Sequence, residues 1–398
     1  MNLSFPPEVE AVRAEFAAWL DEHLPPADTT FPRAMSSADV PPWARAFQAA
    51  MFDAGWLLPG QPPEFGGRNA PLLEQFVIED ELMRRRIYHS FNPQGLGIIA
   101  PSILMFGTPE QKQRWAVPIL RAEITAALGM SEPNAGSDLA GLRTRAVIDG
   151  DEFVVNGQKV WTSGAHDADI IFTFVRTDPD APKHKGLSAV VVPTATAGVT
   201  RRPFGSITSH DDLDFNEVFF DDARVPVANL IGDLDQGWRV ATGALGEERA
   251  MLWLSQYERL EDATVNFANQ VRGTAIADDP LTQDWYGKLL IDAMALRLLG
   301  YRTVAESARG KQSAQQSILK LLGSEAAQAA ALNALETLGP DIVLDRDRPS
   351  TPHNPWHLDV YTESWFNRYV RSFAMTIAGG TSEIQRNIIG EHVLGLPR

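Results

Sequence analysis

Apolar residues recur about every three to four positions near the start of the chain, a spacing typical of one buried helix face. The residues on this face are Val9, Val12, Phe16, Trp19 and Leu20. Pro25 and Pro26 end the segment, since proline does not continue a helix. A second helix is predicted to begin at Thr108, which can cap it, with Pro109 in its first position and Gln111 completing a capping box. The first part of the chain is therefore predicted to be helical.

The pattern then changes, because short runs rich in β-branched and aromatic residues replace the helical spacing. These runs cover residues 153–155, 169–175, 187–192 and 217–220. The turn-forming pairs that punctuate this region include Asp149-Gly150, Asn156-Gly157 and Ala197-Gly198. The middle of the chain is therefore predicted to be a small, mostly antiparallel β domain.

Helical spacing returns in the last part of the chain. Its apolar positions are Leu245, Met251, Leu252 and Leu254, then Leu289, Leu290, Met294, Leu298 and Leu299, then Ile318, Leu321, Leu322, Leu332, Leu335 and Leu338. A proline- and aspartate-rich insert, Pro340–Pro355, precedes a last helix. The chain is thus predicted to be a multi-domain α+β protein, with an all-α domain over 1–125, an antiparallel β domain over 126–235 and a helical domain over 236–398.

Composition narrows the classes of function. The 398 residues include 35 basic and 51 acidic side chains, which give a net charge of −16. No basic stripe is available to neutralise phosphates, which argues against nucleic acid and against an anionic membrane surface. The chain has no cysteine. This excludes disulfides, thiolate nucleophiles and Cys-ligated metal sites, and it fits a reducing, cytoplasmic location.

Neither a signal peptide nor a membrane span is predicted. The N-terminus carries acidic residues where a signal peptide needs a basic start and an apolar run. No apolar stretch approaches the ~18 residues that a membrane-spanning helix needs. We therefore expect a soluble protein without membrane insertion.

Three short motifs resemble functional sites, but a purely structural role explains each of them better. Gly95–Ala100 matches the dinucleotide pattern G-x-G-x-x-A, but no strand pattern precedes it and Pro101 follows, so helix packing is favoured. His353 and His357 have a zinc-ligand spacing, but nearby prolines argue against a helix, so a solvated loop is favoured and no metal site is predicted. Arg84–Arg86 could bind phosphate, although a helix surface is the better interpretation.

Three polar segments containing glycine carry the candidate chemistry. They are residues 128–139 (LGMSEPNAGSDL), 156–164 (NGQKVWTSG) and 378–387 (AGGTSEIQRN). The first is a loop whose backbone N–H groups would suit a phosphate or the polar edge of a flavin. The second is predicted to be a hairpin followed by Trp and two hydroxyls. The third is typical of a capped helix start that can hold an anion.

Together these segments resemble the acyl-CoA dehydrogenase family over essentially the whole chain. Further matching motifs are Gly107–Lys112 and Asn216–Pro226. The resemblance implies an α-helical N-terminal domain, a central β domain and a C-terminal four-helix bundle. It also implies bound FAD and α,β-desaturation of an acyl-CoA thioester, in which a carboxylate removes the α-proton and the β-hydrogen passes as hydride to flavin N5.

The resemblance also implies which residues bind cofactor and substrate. The positions that match cofactor contacts are Met130, Ser131, Ser137, Trp161, Thr162, Ser163, Thr381, Ser382 and Glu383. The positions that match substrate contacts are Ser137, Arg249, Gly379 and Gly380. Ser131 lies where the family grips the pyrimidine end of the flavin, on which negative charge builds during reduction. Trp161 matches the aromatic wall beside the ring, and Ser163 matches the hydroxyl near N5.

The catalytic base departs from the pattern best known in the family. Many members carry Glu immediately before Gly-Thr-Ser, but this chain has Gly379 there, and glycine cannot take a proton. A minority carry the carboxylate on an earlier helix, directly before Arg, and Glu248 precedes Arg249 in this chain. Apolar neighbours such as Leu245 suggest an apolar setting, which would raise the pKa of Glu248 towards neutrality. The alternative is that Glu247 and Glu248 form an exposed acidic pair.

A second departure concerns the contact between subunits. Many members have an Arg, with Phe three residues later, that reaches the FAD of a neighbouring subunit, whereas this chain has Gln283 in place of the Arg. With the insert at 340–355, this resembles a bacterial subgroup. Some members of that subgroup act on bulky thioesters, including steroid side chains, and some assemble from two related chains. We therefore expect a homo-oligomer or a heterotetramer with a related chain, and an electron-transfer flavoprotein as electron acceptor.

The sequence leaves two other functions open. One is a non-catalytic subunit that shares FAD with a related chain in a heteromeric acyl-CoA dehydrogenase, which would fit Gly379 and the missing Arg. The other is a flavin oxidase or monooxygenase on the same fold, which would pass electrons directly to oxygen. The expected substrate is a bulky, branched or steroid-side-chain acyl-CoA.

Overall fold

The structure is a computed structural model that describes residues 5–24, 36–87, 90–207, 213–248, 252–310, 316–340, 342 and 364–397. These residues form two compact units. Unit 1 comprises the described residues within Met1–Trp19, Pro71–Ile87 and Arg249–Arg398, and unit 2 those within Leu20–Ala70 and Tyr88–Glu248. Among the described ranges, no helix combines the length and the apolar content that a membrane crossing requires.

Helices occupy both ends of the chain. They are α1 (Pro7–His23), α2 (Pro42–Asp53), α3 (Leu72–Arg84), α4 (Ala100–Phe106), α5 (Pro109–Gln111), α6 (Val117–Leu120), α7 (Gly237–Glu248), α8 (Leu252–Val271), α9 (Pro280–Ser307), α10 (Gln316–Leu338), α11 (Trp365–Ile377) and α12 (Ser382–Ile388). Single π-helical turns at Gly95–Ile99, Lys112–Ala116 and Ile389–Val393 extend the short helices beside them.

The two helices predicted in the N-terminal region are confirmed. Phe16 and Leu20 of α1 are fully buried, as the helical spacing predicts. The Thr108 hydroxyl accepts the Gln111 backbone N–H at 3.3 Å, and the Gln111 side-chain oxygen accepts the Thr108 N–H at 2.9 Å. The Gln111 amide also donates to the carbonyl of Leu230 at 2.7 Å, so the capping residue also ties the start of α5 to the edge of the sheet.

Two of the three motifs for which a structural role was favoured, Gly95–Ala100 and Arg84–Arg86, do have such a role. Gly95–Ile99 forms a π-helical turn that leads into α4, and no strand precedes it among the described residues, so it is a helix-packing element. The arginines at the end of α3 are paired within unit 1. Arg84 lies 3.0 Å from the Asp80 carboxylate, and Arg85 lies 2.7 Å from the Glu81 carboxylate.

The middle of the chain is an eight-stranded sheet. Its strands are β1 (Ala126–Gly129), β2 (Arg145–Asp149), β3 (Glu152–Lys159), β4 (Ile170–Arg176), β5 (Leu187–Pro193), β6 (Val199–Phe204), β7 (Phe215–Pro226) and β8 (Leu230–Ile231). Their spatial order is β6-β7-β3-β2-β4-β5-β8, with β1 beside β4. Only the pairs β1–β4 and β2–β4 are parallel in the described sheet, which confirms a mostly antiparallel β domain. Its core includes the fully buried Phe153, Ile171, Val190 and Val218.

The pair Asn156-Gly157 does not form a turn, which corrects the predicted hairpin at this position. Both residues lie inside β3, where the pairing with β7 shifts its register. The Asn156 amide donates to the Asp222 carboxylate at 2.9 Å and accepts the Asp222 backbone N–H at 3.0 Å. A Cβ at position 157 would lie only 2.6 Å from the Thr144 Cα, so glycine is needed for close packing in a bulged strand. The turn between β2 and β3 lies at Gly150 instead.

The long helices α8 to α11 form the predicted C-terminal four-helix bundle in unit 1. Its buried side chains include Trp253, Leu260, Phe267, Leu289, Leu296, Leu319, Ala334 and Trp365. Three apolar positions of α9 lie instead on an exposed face, since Leu290, Met294 and Leu298 are each about half exposed. The residues Arg249, Met251, His353 and His357 lie outside the described residues.

Candidate functional site

The first predicted cofactor segment is a tight loop that follows β1. The backbones of Glu132 and Ala135 exchange N–H to oxygen hydrogen bonds at 3.0 Å and 3.1 Å, which closes the turn. Ser131 is half-buried before this turn, and Ser137 is exposed after it. No atom lies within 4 Å of the place where a Cβ on Gly136 would stand. The outer part of the loop is therefore open to a ligand.

The structure brings this loop beside the second predicted segment. The Ser131 carbonyl accepts the backbone N–H of Val160 at 3.0 Å. The ammonium group of Lys159 donates to the Met130 carbonyl at 3.2 Å. Two of the predicted cofactor residues, Met130 and Ser131, are thereby fixed next to the strand end that leads into Trp161.

A buried ion pair holds the two segments together. Lys159 Nζ lies 2.9 Å from Glu132 Oε1, with the lysine side chain fully buried and the glutamate side chain 8% exposed. The Glu132 carboxylate also accepts the backbone N–H groups of Arg143 at 2.7 Å and Thr144 at 2.8 Å. These contacts satisfy the carboxylate on several sides, as a buried charge requires.

The two charges shift each other's protonation. Burial lowers the pKa of Lys159 to about 8, although the Glu132 charge opposes that shift. Burial raises the pKa of Glu132, but the Lys159 charge and the hydrogen bonds from Thr144 and Arg143 outweigh burial, so the pKa of Glu132 lies below its usual value. Near neutral pH both groups are therefore charged.

Trp161 is a large apolar side chain held in an exposed position. The residue is 59% exposed to solvent. Its backbone has a φ of 60°, which is unusual for a residue other than glycine. The rings of Phe204 and Phe215 meet the indole edge-on, at centroid distances of 5.3 Å and 5.5 Å. Three aromatic rings thus form a firm wall whose outer face is uncovered in this chain.

The residues after Trp161 are fixed by the Asn216 side chain and by backbone carbonyls of β7 and of the loop before it. The Thr162 N–H donates to the Asn216 carbonyl at 3.2 Å, and the Asn216 amide donates to the Thr162 carbonyl at 3.1 Å. The Gly164 N–H donates to the Asp214 carbonyl at 2.7 Å. Ser163 lies half-buried between these anchors. The Thr162 hydroxyl is buried and has no hydrogen-bond partner among the described residues.

The third predicted segment lies in unit 1 and is a capped helix start, as predicted. Gly379 and Gly380 have φ values of 68° and 93°, a region that favours glycine. The Thr381 hydroxyl accepts the Ile384 backbone N–H at 3.2 Å and caps α12. The Lys320 ammonium of α10 donates to the Gly380 carbonyl at 2.7 Å, which fixes the turn from the neighbouring helix.

The two remaining predicted cofactor residues of this segment, Ser382 and Glu383, differ in their surroundings. Ser382 is buried, and its hydroxyl has no hydrogen-bond partner in the described part of the chain. Glu383 is exposed, and hydrogen bonds from its own backbone N–H and from Thr381 hold its pKa below the usual value. A negatively charged group is therefore stabilised at the start of α12, as the helix dipole also favours.

The predicted base lies at a helix end. Glu248 is the last residue of α7, while its side chain and the whole of Arg249 lie outside the described residues. The start of the same helix packs closely against β5. A Cβ at position 237 would lie only 2.7 Å from the Ser188 Cα, so the close approach requires Gly237. The catalytic role of Glu248 stays a prediction from the sequence.

Comparisons with known proteins agree along the whole chain. Sequence models of the acyl-CoA dehydrogenase N-terminal, middle and C-terminal domains match residues 6–123, 127–223 and 235–394. The acyl-CoA dehydrogenase IpdE1 of Mycobacterium tuberculosis is 36% identical over 89% of this chain and 88% of its own length. The chain belongs to the acyl-CoA dehydrogenase family.

Solved structures of related enzymes share the fold of this acyl-CoA dehydrogenase. The Tcur3481-Tcur3483 steroid ACAD has a TM-score of 0.81 at 29% identity, with 100% of both chains covered. The ChsE4-ChsE5 complex from Mycobacterium tuberculosis has a TM-score of 0.78 at 30% identity, also over 100% of both chains. These matches confirm the predicted arrangement of a helical N-terminal domain, a middle β domain and a helical C-terminal domain.

Acyl-CoA dehydrogenases are FAD-dependent flavoproteins, and the residues of this chain fit that cofactor. The exposed indole of Trp161, braced by two phenylalanine rings, is the kind of surface that an isoalloxazine covers. The buried hydroxyls of Thr162 and Ser382 lack partners among the described residues and belong to two predicted cofactor segments. Buried hydroxyls are normally hydrogen-bonded, so each of the two is expected to have a partner outside the described residues.

Three residues that hold these segments in place, Lys159, Asn216 and Lys320, were not predicted from the sequence. A signal for Lys159 was available, because it stands at an inward position of β3, in step with the buried Phe153 and Val155. A lysine at such a position must find a charged partner. The roles of Asn216 and Lys320 carry no local signal, since each bonds to a backbone group far away in the sequence.

Proposed function

We propose that this enzyme catalyses α,β-desaturation of an acyl-CoA thioester, with Glu248 as the base. The observation that carries the proposal is the fixed proximity of Ser131 to the exposed Trp161 wall, through the bond from Val160 to the Ser131 carbonyl. That arrangement places backbone and hydroxyl groups beside a firm aromatic surface, which a flavin site requires. The family match supports the same chemistry.

The proposed roles follow the positions that match the family. When bound, FAD supplies the hydride acceptor for the β-hydrogen. Glu248 removes the α-proton, and the conjugate acid then holds that proton. Residues proposed to hold FAD are Met130, Ser131, Ser137, Trp161, Thr162, Ser163, Thr381, Ser382 and Glu383. Residues proposed to meet the acyl-CoA are Ser137, Arg249, Gly379 and Gly380.

We further propose a bulky acyl group, branched or derived from a steroid side chain. The similarity to IpdE1 and to a structure described as a steroid ACAD supports this choice over a simple fatty acyl chain. Gly379 is consistent with a bulky acyl group, because a glycine leaves open space where many family members carry a glutamate side chain. A panel of branched, cyclic and linear thioesters would rank these classes by kcat/KM.

We also propose that the enzyme works as an oligomer and passes electrons to an electron-transfer flavoprotein. The exposed apolar residues Leu290, Ile291, Met294 and Leu298 on α9 support association, since large apolar patches are uncommon on monomers. The ChsE4-ChsE5 relative is described as a complex of two chains. Light scattering of the chain alone and beside a related chain would separate a homo-oligomer from a heterotetramer.

Substitution of the base tests the proposal most sharply. Glu248→Gln should retain FAD but lose flavin reduction by acyl-CoA, because an amide cannot accept the α-proton. Glu247→Gln is the matched control, since it removes the adjacent carboxylate and should leave flavin reduction intact. Normal reduction in Glu248→Gln, measured by stopped-flow absorbance without oxygen, would disprove the role of Glu248.

A further inference from the structure

The buried ammonium group of Lys159 lies against the peptide group that joins Met130 to Ser131. Lys159 Nζ donates to the Met130 carbonyl at 3.2 Å and lies 2.9 Å from Glu132 Oε1. The lysine side chain is fully buried, so water does not weaken these contacts as it would at the surface. With a pKa of about 8, Lys159 carries its positive charge at pH 7. The peptide group is therefore in direct contact with a positive charge in the interior of unit 2.

The same peptide group carries the backbone N–H of Ser131, which no acceptor among the described residues bonds. Ser131 is half-buried, and its own carbonyl already accepts the Val160 N–H at 3.0 Å. Backbone N–H groups are strong donors that normally have a partner. The Ser131 N–H is therefore available to a ligand, at the position that matches the family's contact with the pyrimidine end of the flavin.

A positive charge on the oxygen of a peptide group strengthens the N–H of that group as a hydrogen-bond donor. The peptide bond has partial double-bond character, because the nitrogen shares electron density with the carbonyl. A donor on the carbonyl oxygen draws more of this density away from the nitrogen, and linked hydrogen bonds reinforce one another in this way. The bond from Lys159 is charge-assisted, which is the stronger kind. Its contact with Met130 therefore makes the Ser131 N–H a better donor to an anion.

Stability of the fold alone does not explain why Lys159 and Glu132 form a buried ion pair. Two well-packed apolar side chains in such a place are often as stable as an ion pair or more stable, because two buried charges lose their hydration. Glu132 also accepts the backbone N–H groups of Arg143 at 2.7 Å and Thr144 at 2.8 Å, which tie its loop to the sheet without Lys159. The pair therefore indicates a use for the positive charge itself.

We propose that Lys159 is a positioning residue for the redox step, and that it acts through the Met130–Ser131 peptide group to stabilise the negative charge that the flavin gains on reduction. The proposal rests on the proposed function. In that reaction the β-hydrogen leaves with two electrons as hydride and the α-proton goes to Glu248. The thioester is thereby oxidised, and the flavin, neutral before the step, gains one negative charge. An N–H strengthened by Lys159 favours this charged, reduced form over the neutral, oxidised form.

The reduction potential of the bound flavin tests this proposal without relying on turnover. The FAD-loaded wild type and Lys159→Met are reduced stepwise with dithionite at pH 7 beside a reference dye. We expect the potential of Lys159→Met to lie about 30 mV or more below that of the wild type, which is a ten-fold loss in the stabilisation of reduced relative to oxidised flavin for a two-electron couple. A merely structural role would weaken the binding of both forms alike and leave the potential unchanged. An unchanged potential would overturn the proposal.

Two further variants separate the charge of Lys159 from other effects. Arg224→Met is the control, because Arg224 is half exposed and pairs with Asp149 at 2.7 Å, so solvent screens its charge and the potential should not change. The double variant Lys159→Met/Glu132→Gln leaves no unpaired carboxylate, so it should fold even if Lys159→Met does not. Its potential should still lie below that of the wild type. A return to the wild-type potential would assign the shift to the unpaired Glu132 carboxylate and overturn the role of Lys159, as would an equal shift in Arg224→Met.

The same proteins distinguish a failure of this proposal from a failure of the proposed function. If acyl-CoA reduces the wild-type flavin while the potentials of the wild type and both Lys159 variants agree, the role of Lys159 is wrong and the proposed function stands. If the Lys159 variants have the lower potential but no acyl-CoA reduces the wild-type flavin, the proposed function is wrong and the effect of Lys159 on the flavin stands. A wild-type chain that binds no FAD would overturn both.

Discussion

The ammonium group of Lys159 lies 2.9 Å from the carboxylate of Glu132 in the interior of the β domain. The two residues belong to different predicted cofactor segments, and Lys159 also holds the Met130 carbonyl at 3.2 Å. Their pairing fixes the loop that carries Ser131 against the strand that leads to Trp161. The arrangement of the flavin-binding surface therefore depends on a charge pair that itself faces away from solvent.

Breaking this pair should be costly. Lys159→Met leaves a buried carboxylate without its counter-ion, so we expect the free energy of unfolding to fall by roughly 3–5 kcal/mol. Lys183→Met is the control, because Lys183 and Asp138 form a pair at 2.7 Å that is more than half exposed. That variant should lose much less, because an exposed ion pair contributes little to stability. Urea unfolding of both variants measures the difference, and equal losses would contradict the importance of the buried pair.

The pair also predicts a dependence of stability on pH. The pKa of Lys159 is about 8 in the folded chain, whereas the ordinary pKa of a lysine, which applies to the unfolded chain, is 10.5. Between these values the unfolded chain binds more protons at this residue than the folded chain, so stability rises with pH in that window. The slope contributed by one such group is at most about 1.4 kcal/mol per pH unit.

Comparison with Lys159→Met isolates this contribution. The difference in unfolding free energy between the wild type and the variant should grow as the pH is raised from about 8 towards 10.5. A wild-type curve parallel to that of Lys159→Met across this range would show that the pKa of Lys159 is not lowered by burial.

Removal of the Trp161 ring should separate cofactor binding from stability. Because the indole is 59% exposed, Trp161→Ala should change the unfolding free energy of the apoprotein by only about 1 kcal/mol. The same variant should bind FAD about ten-fold more weakly, since an aromatic contact of this kind contributes on that order. Phe373→Ala, at an aromatic position 48% exposed on α11, should bind FAD normally. Unchanged FAD affinity in Trp161→Ala would exclude the indole as the flavin wall.

The contact from Lys320 to the Gly380 carbonyl predicts an effect on the third segment. Lys320→Met removes a charge-assisted hydrogen bond of 2.7 Å, which is worth roughly 1.5–3 kcal/mol. We expect slower flavin reduction by acyl-CoA, because the turn at Gly379 and Gly380 loses its anchor. Lys288→Met should have no effect, since Lys288 is exposed and pairs only with Asp284 on its own helix. Identical reduction rates in the two variants would refute the anchoring role.

Local features of the fold were predictable, and distant pairings were not. The cap at Thr108 was predicted correctly because its partner Gln111 lies three residues away. Asn156-Gly157 was wrongly predicted as a turn, because its outcome depends on Asp222, a partner 66 residues distant. The same limit applies to the site. Its three segments were visible as motifs, whereas the contacts that fix them join residues 27 to 60 positions apart.

Anaerobic reduction of the flavin in the chain purified alone tests most directly whether this chain is itself the dehydrogenase. The protein is loaded with FAD and titrated with linear, branched and ring-bearing acyl-CoA thioesters while the visible flavin band is recorded. We predict that a ring-bearing or branched thioester bleaches this band stoichiometrically and yields the α,β-unsaturated thioester. Retention of FAD with no bleaching by any thioester would contradict the claim that this chain is itself the dehydrogenase.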